Sequence, residues 1–326
     1  MDKNQKRWGW GLIGPGRFAR EFATELTAIE RVRPVAIGSR TLERAREFAD
    51  DFGFERAHGS YQELINDEEV EIVYIAVPHP FHREVAEMAL RAGKAVLCEK
   101  PLTCTARESQ SLCAFAKDRG VFLMEAMKTG FLPAIRQAAE WIQSGAIGEP
   151  KILKADFGFP GSTDPSGRLM NPDLAGGCIL DVGIYPLYLS QLLFGRAERI
   201  QASGSLTATG VEDTAVINLR HAGGPCSALT ASFQTTESMD ATILGTEGQI
   251  TIPTFHAAKQ ATLTVPGQPP TVFKDPAPGM VTDEIHAVMD ALDHRLLECP
   301  GHPHDDSIAL AELMDEVLRQ IHHPPA

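Results

Sequence analysis

No apolar run in the 326-residue sequence approaches the roughly 18 residues a membrane span needs. The opening Met1-Asp2-Lys3-Asn4-Gln5-Lys6-Arg7 leads into a glycine-rich turn with no signal-peptide stretch. These absences predict a cytoplasmic protein without a membrane partner. A long Lys/Arg run is missing as well, and the formal net charge of -13 repels polyanions, which argues against nucleic acid. The six cysteines, Cys98, Cys104, Cys113, Cys178, Cys226 and Cys299, contain no Cys-x-x-Cys pair and are expected as free thiols in a reducing compartment. There is no His-Glu-x-x-His either. His79 and His82 lack converging ligands, so no metal is expected.

What is present is enough chain for two cores. Up to about residue 127, short apolar strands alternate with amphipathic helices. Strands are predicted at residues 8–14, 33–38, 72–77, 95–98 and 121–124, and helices over about 42–52, 81–92 and 106–119, with a first amphipathic stretch opening at the Gly14 turn and running to about residue 29. This alternation predicts a doubly wound α/β domain with a parallel sheet, a Rossmann domain over 1–127. Beyond a helix at 133–144 the texture changes to closely spaced β-type runs, 151–159, 213–220, 228–234, 239–244 and 248–252. A second domain over 128–326 is therefore α+β with an open, mainly antiparallel or mixed sheet. Helices at 283–297 and 307–321 close it.

Gly14-x-Gly16-x-x-Ala19, between a strand and a helix, has the form of a dinucleotide-binding turn. The first glycine permits the tight turn, the second lets backbone approach a pyrophosphate, and the small third residue lets the helix pack closely, with Arg17 and Phe18 between them. The second strand ends at Gly38-Ser39-Arg40 with no acidic side chain. An acid there would accept the ribose hydroxyls of NAD, whereas Ser39 and Arg40 suit the extra phosphate of NADP. The expected cofactor is thus NADP, with NAD as the alternative, and a plain loop-capping role for Arg40 stays open.

Two further stretches stand out. Ala95-Val96-Leu97-Cys98-Glu99-Lys100-Pro101 ends a strand in a carboxylate and an ammonium at the edge where parallel sheets bind ligands. Downstream, Gly176-Gly177-Cys178-Ile179-Leu180-Asp181-Val182-Gly183-Ile184-Tyr185-Pro186 sets Asp181 and Tyr185 four apart, on one face if helical, with Pro186 limiting this to a helix start or a kink.

The Glu-Lys-Pro signature, the Gly-Gly-x-x-x-Asp-x-Gly-x-Tyr array and the dinucleotide turn together resemble the glucose-fructose oxidoreductase/inositol dehydrogenase/rhizopine-catabolism (Gfo/Idh/MocA) family over nearly the whole chain. Within it the resemblance is nearest to the dimeric dihydrodiol dehydrogenase and NADP-dependent xylose dehydrogenase branch. It implies hydride transfer between the nicotinamide and an alcohol or carbonyl of a sugar, polyol or cyclic diol. Tyr185 would exchange the proton, Lys100 stabilise the developing alkoxide and Asp181 orient them. It also implies that Val77, Pro78, His79 and His82 lie along the cofactor, that Glu99 steadies the lysine or faces the cofactor, that Arg168 binds substrate, and that the protein is a homodimer or higher homo-oligomer. The branch's Glu-Ala-x-Trp-x-Arg-Phe-x-Pro departs here to Glu125-Ala126-Met127-Lys128-Thr129-Gly130-Phe131-Leu132-Pro133, so the substrate is expected to differ. A silent ligand sensor, or a C=C or C=N reductase of the same fold, are the alternatives.

Overall fold

The computed structural model describes residues 6–277 and 279–324; the reading of Met1–Gln5 lies outside them. The chain runs β1 (Trp8–Ile13), α1 (Arg17–Leu26), β2 (Val32–Gly38), α2 (Leu42–Phe52), β3 (Arg56–His58), α3 (Tyr61–Ile65), β4 (Ile72–Ile75), α4 (His82–Arg91), β5 (Ala95–Glu99), α5 (Ala106–Arg119) and β6 (Leu123–Ala126). It continues with α6 (Pro133–Gln143), β7 (Pro150–Gly158), α7 (Ile184–Phe194), β8 (Ala197–Leu206), β9 (Glu212–His221), β10 (Cys226–Ser232), β11 (Ala241–Gly245), β12 (Gln249–Ile252), β13 (Gln260–Thr264), β14 (Thr271–Lys274), α8 (Thr282–Asp293) and α9 (His304–His322). Among the described residues, one compact unit takes the chain up to Thr103, Arg107–Met127 and Val281–Ser307. The other takes Cys104–Ala106, Lys128–Met280 and the chain from Ile308 on.

In the first unit β1 to β6 form one parallel sheet in the order β3-β2-β1-β4-β5-β6. Its central strands are apolar throughout because both faces are covered: every residue of β4 is buried. α1 turns Ala19, Phe22, Ala23 and Leu26 inward. Burying Phe22 and Leu26 is worth about 1.5–3 kcal/mol each. Sequence reading passed over β3 and α3, so the strand expected third in line is the fourth. β3 has no apolar alternation and is held instead by the Asp67 carboxylate, which accepts from Arg56 Nε and Nη2 at 2.7 and 3.0 Å and contacts His58 Nε2 at 3.1 Å. α3 is capped by Ser60, whose Oγ accepts from Glu63 N.

The second unit carries an eight-stranded mixed sheet ordered β14-β13-β12-β11-β7-β10-β9-β8, antiparallel except for the β7–β10 pair. Along β9, Ala215, Ile217 and Leu219 are buried while Val216, Asn218 and Arg220 are exposed, so only one face is covered. The strands absent from the sequence reading, β8, β13 and β14, sit at the sheet's two ends, where polar sequence is favoured. The helical run Pro172–Phe194 is, against expectation, long and apolar enough to cross a membrane by length and composition. With 78% of its apolar window buried, it is a core element.

The helix expected over 283–297 stops at Asp293, because the chain turns at Arg295 into the left-handed region (φ 56°). Its start is fixed by Glu25 of α1, whose Oε2 accepts from Val281 N, Thr282 N and Thr282 Oγ1 at 2.9, 2.9 and 2.8 Å. Glu25→Ala should lose about 1–2 kcal/mol, the worth of a helix cap, whereas Glu25→Gln keeps an acceptor and most of the stability. Urea unfolding of the two variants checks this, equal losses counting against the cap.

Candidate active site

The strand order reverses between β1 and β4, and the dinucleotide turn leaves β1 at that point. Gly14 has φ 94°, and a Cβ there would stand 2.6 Å from the Ala76 carbonyl oxygen, so only glycine fits. A Cβ on Gly16 would meet nothing nearer than that same oxygen at 4.0 Å, which leaves its outer side open to a pyrophosphate. Ala19 is fully buried, as close packing of α1 requires.

Beside the turn lies a cleft of about 310 Å³ walled by Gly14–Gly16, Ser39, Arg40, Arg44, Tyr61, Ala76–Pro78, Phe81, Glu84, Val85 and Met88. Burial raises the Tyr61 phenol pKa and the charges of Arg40 and Arg44 oppose the rise, so both guanidinium groups act on the same ring. Arg44 and Tyr61 were missed in the sequence. The available signal was an arginine in the first turn of α2, four residues after Arg40, where the helix dipole favours acids and an anion would offset the repulsion.

Other expected cofactor residues lie elsewhere. The Arg17 side chain is 96% exposed beside Glu21, and neither it nor Phe18 lines the cleft. His82 is fully buried, its Nε2 and Nδ1 each 2.8 Å from the carbonyl oxygens of Val77 and Pro101, so it stands behind the wall that Val77 and Pro78 present. The His79 ring lies 5.6 Å from it. Glu99 accepts the Tyr74 hydroxyl at 2.6 Å, and Tyr74 is fully buried and stacked on Phe22 at 3.6 Å. Burial, then the Glu99 charge, drives the Tyr74 phenol pKa far up, so it stays a donor and fixes the carboxylate at the end of β5. Lys100 follows, half-buried, before a cis Lys100–Pro101 peptide.

In the second unit the Asp181–Tyr185 segment is not one α-helical turn. Ile179–Gly183 is a π-turn, and α7 starts at Ile184. Pro186 is the third residue of α7, directly after the π-turn, where its missing N–H interrupts the ladder that the turn carries into the helix. The turn is anchored by Glu212, a buried carboxylate whose Oε1 accepts from Ile179 N at 3.0 Å. Its pKa is raised by burial, and His322 stands 3.5 Å from its Oε2. Gly177 passes over this carboxylate with φ 116°, and a Cβ there would fall 2.2 Å from Glu212 Oε1, which explains the second glycine of the motif. Arg168 reaches Asp181 with both Nη atoms, at 2.8 and 3.3 Å.

Tyr185, 8% exposed, lies in an aromatic cluster the sequence did not announce. Its ring centroid is 5.4 Å from Phe157 and 5.8 Å from His256, and those two stack at 4.2 Å. Lys128 is buried, with Nζ 3.9 Å from Met280 Sδ. Among the described residues no group of three or more His, Cys, Asp or Glu gathers to hold a metal.

A nucleotide cleft on a doubly wound sheet, joined in one chain to a mixed-sheet domain, defines an NAD(P)-dependent oxidoreductase of two parts. Residues 8–127 match the oxidoreductase family with an NAD-binding Rossmann fold, and residues 135–251 match the Gfo/Idh/MocA C-terminal domain. The chain is 36% identical over 324 residues to a mouse trans-1,2-dihydrobenzene-1,2-diol dehydrogenase, covering 96% of each. It superimposes on the 3-ketoreductase KijD10 from Actinomadura kijaniata, solved with NADP and TDP-benzene, with a TM-score of 0.84 and 28% identity over 96% of this chain and 97% of that one. An aldose-aldose oxidoreductase from Caulobacter crescentus, 24% identical with TM-score 0.88 over 97% of each chain, shares the fold. The chain belongs to the Gfo/Idh/MocA family. It is a dehydrogenase acting on CH–OH groups.

Gly177→Ala should lose at least about 2 kcal/mol, since it adds a left-handed alanine to a collision with a buried carboxylate. Chemical denaturation of Gly177→Ala, Glu212→Ala and the double variant tests the coupling. Strictly additive losses would remove the carboxylate as the reason for the glycine.

Proposed function

We propose that this chain is an NADP(H)-dependent dehydrogenase interconverting an alcohol and a carbonyl on a sugar, polyol or cyclic diol, with Lys100, Asp181 and Tyr185 carrying the chemistry. The observation behind the cofactor choice is the ribose end of the cleft, where Ser39, Arg40, Arg44 and Tyr61 stand together with no acidic residue at the end of β2. Two guanidinium groups and hydroxyls suit a phosphomonoester. The NADP bound by KijD10 points the same way. The name of the mouse relative favours a cyclic diol.

When bound, the nicotinamide takes or gives the hydride. The chain's own task is to manage the proton and charge on the substrate oxygen. Tyr185 takes the hydroxyl proton as the carbonyl forms and returns it in reduction, while the Lys100 ammonium stabilises the oxygen as its negative charge develops. Asp181, held by Arg168, orients the substrate and the phenol. Phe157 and His256 give the Tyr185 site an apolar, flat wall on which a ring can lie. Our reading of the enzyme as cytoplasmic is supported by the six cysteines standing as free thiols, the form a reducing compartment maintains.

We also assign a homodimer through the open face of the second sheet. There the register brings Ile152, Cys226 and Arg220 into one row and Lys154, Ala228 and Asn218 into the next, a half-apolar surface suited to a copy of itself.

Arg40→Ala and Arg44→Ala should each weaken NADP binding by about 1.5–3 kcal/mol and leave NAD nearly untouched, as read by fluorescence titration with both cofactors. Equal losses for both cofactors count against the phosphate role. Lys100→Met and Tyr185→Phe should each slow single-turnover oxidation of trans-1,2-dihydrobenzene-1,2-diol by about 10²–10⁴-fold with NADP affinity kept, the double variant losing far less than the product. Wild-type hydride transfer in Tyr185→Phe removes it as the proton carrier. Sedimentation should show a dimer at micromolar concentration.

A further inference from the structure

Glu125 opens the stretch where this chain departs from its branch, yet nothing in the reaction uses it. It is the penultimate residue of β6, neighbour to β5, and is 3% exposed. A carboxylate that deep must be filled by donors, since stripping it of water unpaired costs several kcal/mol. Its Oε1 accepts from Leu102 N at 2.8 Å, and its Oε2 lies 3.1 Å from His302 Nε2, which also meets Ser307 Oγ at 2.9 Å. His302 is 1% and Ser307 4% exposed, so the array is shut off from solvent and is no nucleophile site.

The same short segment is gripped from its other side. Pro101 presents its carbonyl to His82 Nδ1, while His82 Nε2 faces the Val77 carbonyl at the end of the cleft wall. A neutral imidazole has one N–H for these two acceptors, and burial keeps its pKa below the ordinary histidine value. One residue on, Thr103 Oγ1 meets Ser109 Oγ at 2.8 Å, both buried. Backbone groups at three consecutive positions or their side chains are thus tied to buried partners directly after Lys100. Glu99, directly before it, is tied to Tyr74.

We infer that Glu125, oriented by His302 and Ser307, and His82 are positioning residues for Lys100, holding the Pro101–Leu102 backbone so that the lysine's stem leaves a fixed base. This rests on the reading of Lys100 as the group that stabilises the substrate oxygen. Such a base matters because the lysine has four rotatable bonds of its own, and misplacement of a reacting group by about 1 Å costs on the order of 10²-fold. The acceptor, not the negative charge, is what Leu102 N requires, and that separates the variants.

Glu125→Gln keeps an amide oxygen for Leu102 N, and its kcat on trans-1,2-dihydrobenzene-1,2-diol with NADP should stay within about threefold of wild type. Glu125→Asp withdraws the carboxylate by one methylene, and Glu125→Ala removes it. They should lose about tenfold and about 10²-fold in kcat respectively, with KM and NADP affinity changed less than threefold. Glu125→Asp carries the test if Glu125→Ala does not fold. Wild-type kcat in Glu125→Asp, or Glu125→Gln as slow as Glu125→Asp, overturns the inference, as does a loss that falls on NADP affinity instead of kcat. Lys100→Ala runs alongside: if it keeps wild-type turnover, the reading of Lys100 itself falls. If it is inactive while Glu125→Asp is normal, only the positioning role falls.

Discussion

β1 pairs with β4 so that Ile13 stands beside Ile75, and β4 pairs with β5 so that Ile75 stands beside Cys98. That register is the constraint on which the first unit's chemistry depends. It brings Gly14, Ala76 and Glu99 out of the sheet at one level of its carboxyl edge. Shift any of the three strands by one residue and each side chain exchanges faces, so that the packing of β4 against the helices on both sides is lost. The register is held by burial, since both faces of these strands are covered by helices. The turn at Gly14 inherits its geometry from the Ala76 carbonyl, which leaves no room for a Cβ.

On that frame, three buried or half-buried carboxylates fix backbone that would otherwise be loosely placed. Glu25 holds the start of α8, Glu125 the segment after Lys100, and Glu212 the π-turn before Tyr185. Each accepts from amide donors that no helix or sheet ladder satisfies, and the exchange is mutual: the amides gain a charged acceptor and the carboxylates avoid an unpaired burial. A charge-assisted bond to backbone locates a loop more sharply than apolar contact does, because it is directional. Two of the three stand beside residues assigned to the reaction.

The alternation of strand and helix made the first domain legible, and α2 and α5 have the bounds their amphipathic pattern predicts. Apolar periodicity reports burial, so it found what the core requires. It could not find β3, which an Asp67 network holds, or the outer strands β8, β13 and β14, whose edge positions tolerate polar sequence. For the candidate site, the Gly14–Gly16 turn and the Ser39–Arg40 end of β2 stood out because each pattern is local in sequence. Glu212 under Gly177, and Arg44 and Tyr61 beside Arg40, depend on contacts between separate elements. His82, expected along the cofactor, is buried behind the wall that Val77 and Pro78 present, and lining a wall and backing it leave the same mark in sequence.

The departure at Lys128–Gly130 illustrates how such a contact reinterprets a motif. In sequence, glycine in place of the branch's arginine implies only that the substrate differs. In the structure, a Cβ on Gly130 would lie 2.1 Å from the Tyr188 hydroxyl oxygen. Tyr188 is 2% exposed and sits three residues after Tyr185, so its ring already fills the volume a longer residue at 130 would enter. Gly130 and Tyr188 therefore share one volume. Restoring an arginine at 130 would demand that Tyr188 leave its place on α7, one turn from Tyr185, and the space would be exchanged without being gained. The 128–130 turn thus packs against the same helix, α7, that carries Tyr185 near its start.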